Sequence, residues 1–207
     1  MKVVGLIGKK NVGKDTIADI MTRHLRFKGY KVATTALAVP LKSEVADMLG
    51  ISLTELEESK NTDKLYDVRT IREWLQFIGE ENCKTNKKYY VNRLGESLIY
   101  YKNIGMDFVI VTDVRKIIEA DYLKEKWDSV NIKIIRDTGL KDVHTTETEV
   151  DKIPDNLIDY TCYNTEYDSL YHKVEDCLIG LGLLDEFWYV GASDDWKRDW
   201  YCYGTYY

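Results

Sequence analysis

The sequence predicts an α/β fold, a parallel β-sheet with helices on both faces. Three observations predict it. Short apolar runs such as Val3-Val4-Gly5-Leu6-Ile7 and Phe108-Val109-Ile110-Val111 have the continuous hydrophobicity of strands buried on both faces. Other segments carry apolar residues at three- and four-residue spacing, the helical period. The two kinds alternate along the chain, which calls for crossover connections and hence parallel pairing.

The elements follow in order. Residues 3–7 form the first strand. A helix over 14–28 sets Ile17, Ile20, Met21, His24 and Leu25 on one face, and Gly29 ends it. A strand spans 31–36, and a helix with Pro40 in its first turn runs to about Gly50. A short helix is predicted over 53–58 and a polar loop over 61–67. Helices over 68–81 and 89–102 precede the buried strand 107–112. Then come a helix over 114–127, a strand over 130–135 and a polar loop or lid over 137–152. A last strand, 157–162, leads to a helix over 167–181. The pattern gives one domain over 1–184, with an acceptor-side helical part over about 38–104. Residues 185–207 differ, holding Trp188, Trp196, Trp200 and several tyrosines among aspartates with no clean period. Packing over a sheet edge or a homodimer contact are the roles open to this extension.

Composition narrows the classes. A length of 207 residues with 44% apolar and 31% charged residues suits one globular α/β domain. A net charge of −6 gives no basic face for nucleic acid. Cys83, Cys162, Cys177 and Cys202 form no C-x-x-C pair and read as reduced, buried thiols. No run is long enough for a signal core or a membrane span, so no membrane partner is expected and the predicted location is the cytoplasm.

The strongest motif is Gly8-Lys9-Lys10-Asn11-Val12-Gly13-Lys14-Asp15-Thr16. It has the G-x-x-x-x-G-K skeleton of a phosphate-binding loop, between a strand and a helix. Glycines let successive backbone N–H groups turn toward one anion, and the positive end of the helix adds to the site. Gly8, Asn11, Val12, Gly13, Lys14, Asp15 and Thr16 are therefore the expected ATP-binding residues. Lys14 is expected to reach the β- and γ-phosphates. The common motif has Ser or Thr after the lysine to hold Mg²⁺; here Asp15 stands there. Asp15 can hold Mg²⁺ directly or through water, and Thr16 can bond the α-phosphate.

These residues resemble the start of the bacteriophage deoxynucleoside monophosphate kinases, which carry a G-K-D-T loop. Four further stretches are similar in the same order: Ala38-Val39-Pro40-Leu41-Lys42, Ile71-Arg72-Glu73-Trp74-Leu75-Gln76-Phe77-Ile78-Gly79, Thr112-Asp113-Val114-Arg115 with Glu119, and His144-Thr145-Thr146-Glu147. The resemblance runs to about residue 181. It implies the three-layer fold of P-loop NTPases and nucleoside monophosphate kinases. It also implies ATP and Mg²⁺, a dNMP acceptor, and a virus-encoded origin with action in the host cytoplasm.

A kinase with two anionic substrates needs cations beyond the loop. Arg115 and Arg136 are expected to act on the transferring phosphate. Lys42, Arg72, Gln76 and Asp113 are expected on the substrate side. Arg72 and Gln76 are four apart and share a helix face. Arg72 suits an acceptor phosphate and Gln76 a base edge, while spacing alone also fits a solvent-facing pair. Asp113 ends a buried strand, where ligands gather in open α/β sheets. It can orient Mg²⁺ through water, cap the helix over 114–127, or do both. His144 and Glu147 are too few for a zinc site and read as shaping the lid. Two other readings stay open. One is another small-molecule P-loop kinase of the dephospho-coenzyme A or phosphomevalonate type, the latter also tolerating Asp after the lysine. The other is a nucleotide-binding switch without catalysis.

Overall fold

The computed structural model describes residues 1–136, 145–165 and 167–184. In chain order the elements are β1 (Lys2–Ile7), α1 (Lys14–Phe27), β2 (Val32–Thr35), α2 (Ala38–Leu49) and α3 (Leu53–Ser59). A hairpin of β3 (Leu65–Tyr66) and β4 (Arg69–Thr70) comes next, then α4 (Ile71–Thr85) and α5 (Tyr89–Asn103). The chain continues with β5 (Phe108–Val114), α6 (Ile117–Trp127), β6 (Val130–Ile135) and α7 (Thr145–Val150). A 3-10 turn at Asp155–Leu157, β7 (Tyr160–Tyr163) and α8 (Tyr167–Gly180) complete it.

Five strands form one sheet in the order β2-β5-β1-β6-β7. Every pairing in it is parallel, as the sequence predicts. The order reverses around β1: the chain first moves to one side, to β2 and β5, then crosses to β6 and β7. Such a reversal opens a crevice at the carboxyl ends of the strands flanking it, here β1 and β5.

The period of two along β1 divides the core. Val4 and Leu6 pack with Ile17, Met21 and Leu25 of α1 and with Val174 and Leu178 of α8. Val3 and Ile7 pack on the opposite face with Leu94 and Leu98 of α5 and Leu123 of α6. Each of these side chains is almost fully buried, worth about 1.5–3 kcal/mol of transfer free energy apiece. His24 belongs to the α1 face as its spacing implies. Its ring lies 4.4 Å from that of Tyr171, and burial pushes its pKa down to about 4, with His172 and Lys28 adding to the effect. A third, smaller cluster of Val45, Ala46, Leu56 and Ile71 joins α2, α3 and α4 away from the sheet.

Four predicted elements shift. The helix predicted from residue 68 starts at Ile71, and the loop before it holds the hairpin. Asp67 turns the hairpin with φ 61°, and Thr70 with Glu73 closes a capping box that fixes the helix start. The helix predicted from residue 114 starts at Ile117, because Asp113 and Val114 stay in β5. The predicted loop over 137–152 contains α7, and β7 starts three residues later than expected. Residues 137–144, with His144, and the extension 185–207 lie outside the described residues, as does the side chain of Glu147. Among the described residues, no helix is long and apolar enough to cross a membrane.

Candidate active site

The phosphate loop leaves the carboxyl end of β1 and turns into α1. Its path needs left-handed backbone at Asn11, φ 63°, and at Gly13, φ 96°. Gly13 is required twice over, because a Cβ there would also collide with the side-chain amide of Asn164. Gly8 is required by proximity: a Cβ would sit 2.9 Å from Val12 Cγ2 and 3.1 Å from the carbonyl oxygen of Ile134.

Lys14 is 7% exposed. Its Nζ donates to the carbonyl oxygen of Gly8 at 2.8 Å and to that of Lys9. The ammonium is thus held inside the curl of the loop, where a point charge can meet phosphate oxygens. Asp15 and Thr16 are exposed on the first turn of α1. The residues present fit a nucleotide phosphate chain with Mg²⁺. The curled backbone and buried lysine suit the anion, and the exposed carboxylate and hydroxyl are hard oxygen donors of the kind Mg²⁺ takes.

Two contacts brace the loop from outside. Asn164 is 6% exposed. Its Nδ2 donates to the carbonyl of Val12 at 2.8 Å, and its backbone N–H donates to Ile135 at 2.8 Å. One residue therefore ties the loop to the end of β6. Lys9 pairs with Asp151, just past α7, at 2.8 Å. The sequence reading missed Asn164. The signal was the one that singled out Asp113: a polar residue directly after a buried strand at the ligand-bearing edge.

The neighbouring strand end is built around two carboxylates. Asp113 accepts from the N–H of Leu37 at 2.6 Å and from that of Ala38 at 3.0 Å. It thus holds the start of α2, a helix distant in sequence, and not the helix that follows it. Burial raises its pKa, outweighing those two donors and the charges of Arg115 and Lys42. The start of α6 is served by Glu119, whose Oε2 accepts from the N–H of Arg115 at 2.8 Å and of Lys116 at 3.0 Å. Burial pushes Glu119 up to about 7, and the charge of Asp113 adds to the rise. Glu119 thus fixes the backbone that carries Arg115, and Asp113 fixes the start of α2.

Arg136 is exposed immediately beyond β6, on the strand end that Asn164 and Gly8 touch. The structure therefore brings together the loop, Lys14, Asp113, Arg115, Lys42 and Arg136 at one edge of the sheet. Arg72 and Gln76 stand apart from this group. They are exposed on one face of α4, where Arg72 donates to Asn61 at 2.7 Å and Gln76 to Glu80 at 3.0 Å. Lys42 forms an ion pair with Glu57 at 2.6 Å. Of the cysteines described, Cys162 and Cys177 are buried free thiols as expected, but Cys83 is half-buried. It sits near the carboxyl end of α4, which lies off the sheet.

The family model described as phosphomevalonate kinase matches residues 6–129, from β1 through α6. No curated protein matches the chain. Among solved structures, a shikimate kinase from Acinetobacter baumannii is similar at 14% identity over 90% of this chain and 96% of that one, with a TM-score of 0.45. A dephospho-CoA kinase from Campylobacter jejuni is similar at 14% identity over 89% and 100%, with a TM-score of 0.47. TT1252 from Thermus thermophilus is similar at 15% identity over 87% and 97%, with a TM-score of 0.47.

Proposed function

Because the chain belongs to the phosphomevalonate kinase family, we propose that it is an ATP-dependent kinase whose acceptor is a phosphorylated small molecule, a deoxynucleoside monophosphate. The observation that carries the kinase reading is the loop itself: Lys14 buried and held by Gly8 and Lys9 at the start of α1, beside the Asp113–Arg115 strand end. The five segments shared in order with phage deoxynucleotide kinases support the dNMP acceptor.

An oxygen of the acceptor phosphate attacks the γ-phosphorus of ATP, the bond from that phosphorus to the β–γ bridging oxygen breaks, and ADP leaves with the electron pair. The attacking oxygen is already anionic, so no strong base is needed. Lys14, Arg115 and Arg136 stabilise charge on the transferring group. Asp15 would hold Mg²⁺, directly or through water, and the ion would supply positive charge beside the phosphates; Thr16 would bond the α-phosphate. Asp113 acts as a positioning residue by fixing the start of α2. Lys42, Arg72 and Gln76 lie on the acceptor side, and the amide of Gln76 suits a base edge. A second reading, phosphomevalonate as acceptor, is favoured by the description of the matched family.

A coupled ADP-release assay with ATP and Mg²⁺ tests both, using the four common dNMPs and phosphomevalonate as acceptors. Release that depends on one dNMP is the expected result. Lys14→Ala is expected to lower kcat about 100-fold or more, the scale of losing one preorganised charge donor. Release with phosphomevalonate alone replaces the dNMP reading with the second. ATP binding with no acceptor-dependent release discards the kinase.

A further inference from the structure

A cleft of 330 Å³ opens beside the active edge, between the carboxyl end of α4, the start of α6 and the segment after α7. That is the low end of the range for small-molecule pockets. Lys87, Lys116 and Lys152 line it from three separate connecting segments, beside one lining carboxylate, Glu149. Its remaining wall is Cys83, Ile117 and Ile118.

The charges here differ from those on which the sequence reading settled. Lys42 is matched by Glu57, and Arg72 and Gln76 are occupied by Asn61 and Glu80. Among the described residues, Lys87, Lys116 and Lys152 form no ion pair, although the charge of Lys116 acts on the neighbouring Glu119. Three lysines around one cleft with a single lining carboxylate give it a surplus of positive charge, which suits an anion. In a chain of net charge −6 such a cluster is local and not part of a general basic surface.

Position identifies the anion. The cleft is tied to the phosphate loop by the end of α7 and the residues after it: Glu149 and Lys152 line it, and Asp151 between them pairs with Lys9. Lys116 follows Arg115 directly on the strand-end turn held by Glu119. The cleft also lies on the acceptor helix. Arg72, Gln76 and Cys83 share one face of α4, since steps of four and seven residues return to the same side. Cys83 is about 10 Å farther along the helix than Gln76 and about 16 Å farther than Arg72, at 1.5 Å per residue.

From this placement we infer that the acceptor's phosphate binds in the Lys87–Lys116–Lys152 cleft, with the body of the acceptor running back along α4 toward Gln76. The acceptor phosphate therefore moves from Arg72 to the end of α4 nearest the loop, where transfer requires it. The identification of the anion as the acceptor rests on the kinase reading; the cleft's surplus of lysines does not.

Cys83 is a reporter inside the cleft. The full chain is first saturated with Mg²⁺ and a non-hydrolysable ATP analogue, so that the loop is filled. Alkylation of Cys83 by iodoacetamide is then followed by peptide mass spectrometry, with and without inorganic pyrophosphate or the acceptor found by the ADP-release assay. Protection of at least about fivefold in the wild type, lost in Lys116→Ala/Lys152→Ala, is expected. The same variant should raise the KM for the acceptor about tenfold or more, the scale of a lost charge-assisted contact, and leave the KM for ATP within about twofold. An unchanged alkylation rate in the wild type, or equal protection in the variant, overturns the inference. Protection by pyrophosphate with no turnover of any acceptor overturns the acceptor assignment and leaves an anion site, a result distinct from failure of the cleft itself. Retained urea-unfolding stability in the variant excludes misfolding as the cause of lost protection.

Discussion

The two ends of this candidate site are built differently. At the nucleotide end the buried polar groups are held by internal partners: Lys14 on Gly8 and Lys9, Asn164 on Val12, Asp113 on Leu37 and Ala38, Glu119 on Arg115 and Lys116. At the acceptor end the charges lie on exposed helix surface and at an open cleft. The difference is physical. A loop that meets the same triphosphate at each turnover benefits from preorganisation, because donors fixed in advance need no rearrangement during reaction. An acceptor surface that must admit and release a second substrate is assembled mainly by the ligand's own charge.

The largest expected effect lies at the junction of the two ends. Glu119 is raised in the folded protein from 4.5 to about 7. The native state therefore binds the proton more tightly than the unfolded chain, and the stability this contributes is fully present below about pH 4.5 and is lost as pH rises through 7. Glu119→Gln should flatten this fall, by about 3 kcal/mol across the window. Urea unfolding at a series of pH values measures it, and a variant with the same slope as wild type rejects the shift.

Asn164→Ala is next. It leaves the Val12 carbonyl without its side-chain partner and loosens the loop from β6. A stability loss of about 1–3 kcal/mol is expected, with the KM for ATP raised and the KM for the acceptor unaffected. A variant whose two KM values rise together would show that the nucleotide end is not braced separately.

The smallest effect is expected at Arg72. Exposed and bonded only to Asn61 among the contacts described, it should contribute about 1 kcal/mol or less to stability. Arg72→Ala should raise the KM for the acceptor no more than about twofold and leave ATP binding unchanged. A drop of kcat with no change in either KM would place Arg72 at the reacting group and erase the contrast between the two ends.

Much of this was legible beforehand, for reasons that differ by residue. The loop could be read because its chemistry is local: glycines, lysine and helix start must be consecutive to form the cradle. The parallel sheet could be read because strands buried on both faces are apolar at every position. The hairpin at residues 65–70 could not, since two-residue strands carry no period, and only the left-handed Asp67 and the Thr70 cap create it. Asp113 was expected to cap the helix that follows it, but its hydrogen bonds go elsewhere. A carboxylate after a strand normally serves the next helix, and here both its hydrogen bonds go to the start of α2 while Glu119 serves α6.

By itself the sequence determined the fold class and the phosphate loop, because alternating period and consecutive motif residues are properties of neighbours along the chain. Only the tertiary structure decided which groups stand opposite one another. It set Asn164 against Val12 across 152 residues. It turned Asp113 toward α2, and it gathered Lys87, Lys116 and Lys152 from three connecting segments into one cleft. Such convergence depends on strand order and helix packing, which bring together charges that no local pattern connects.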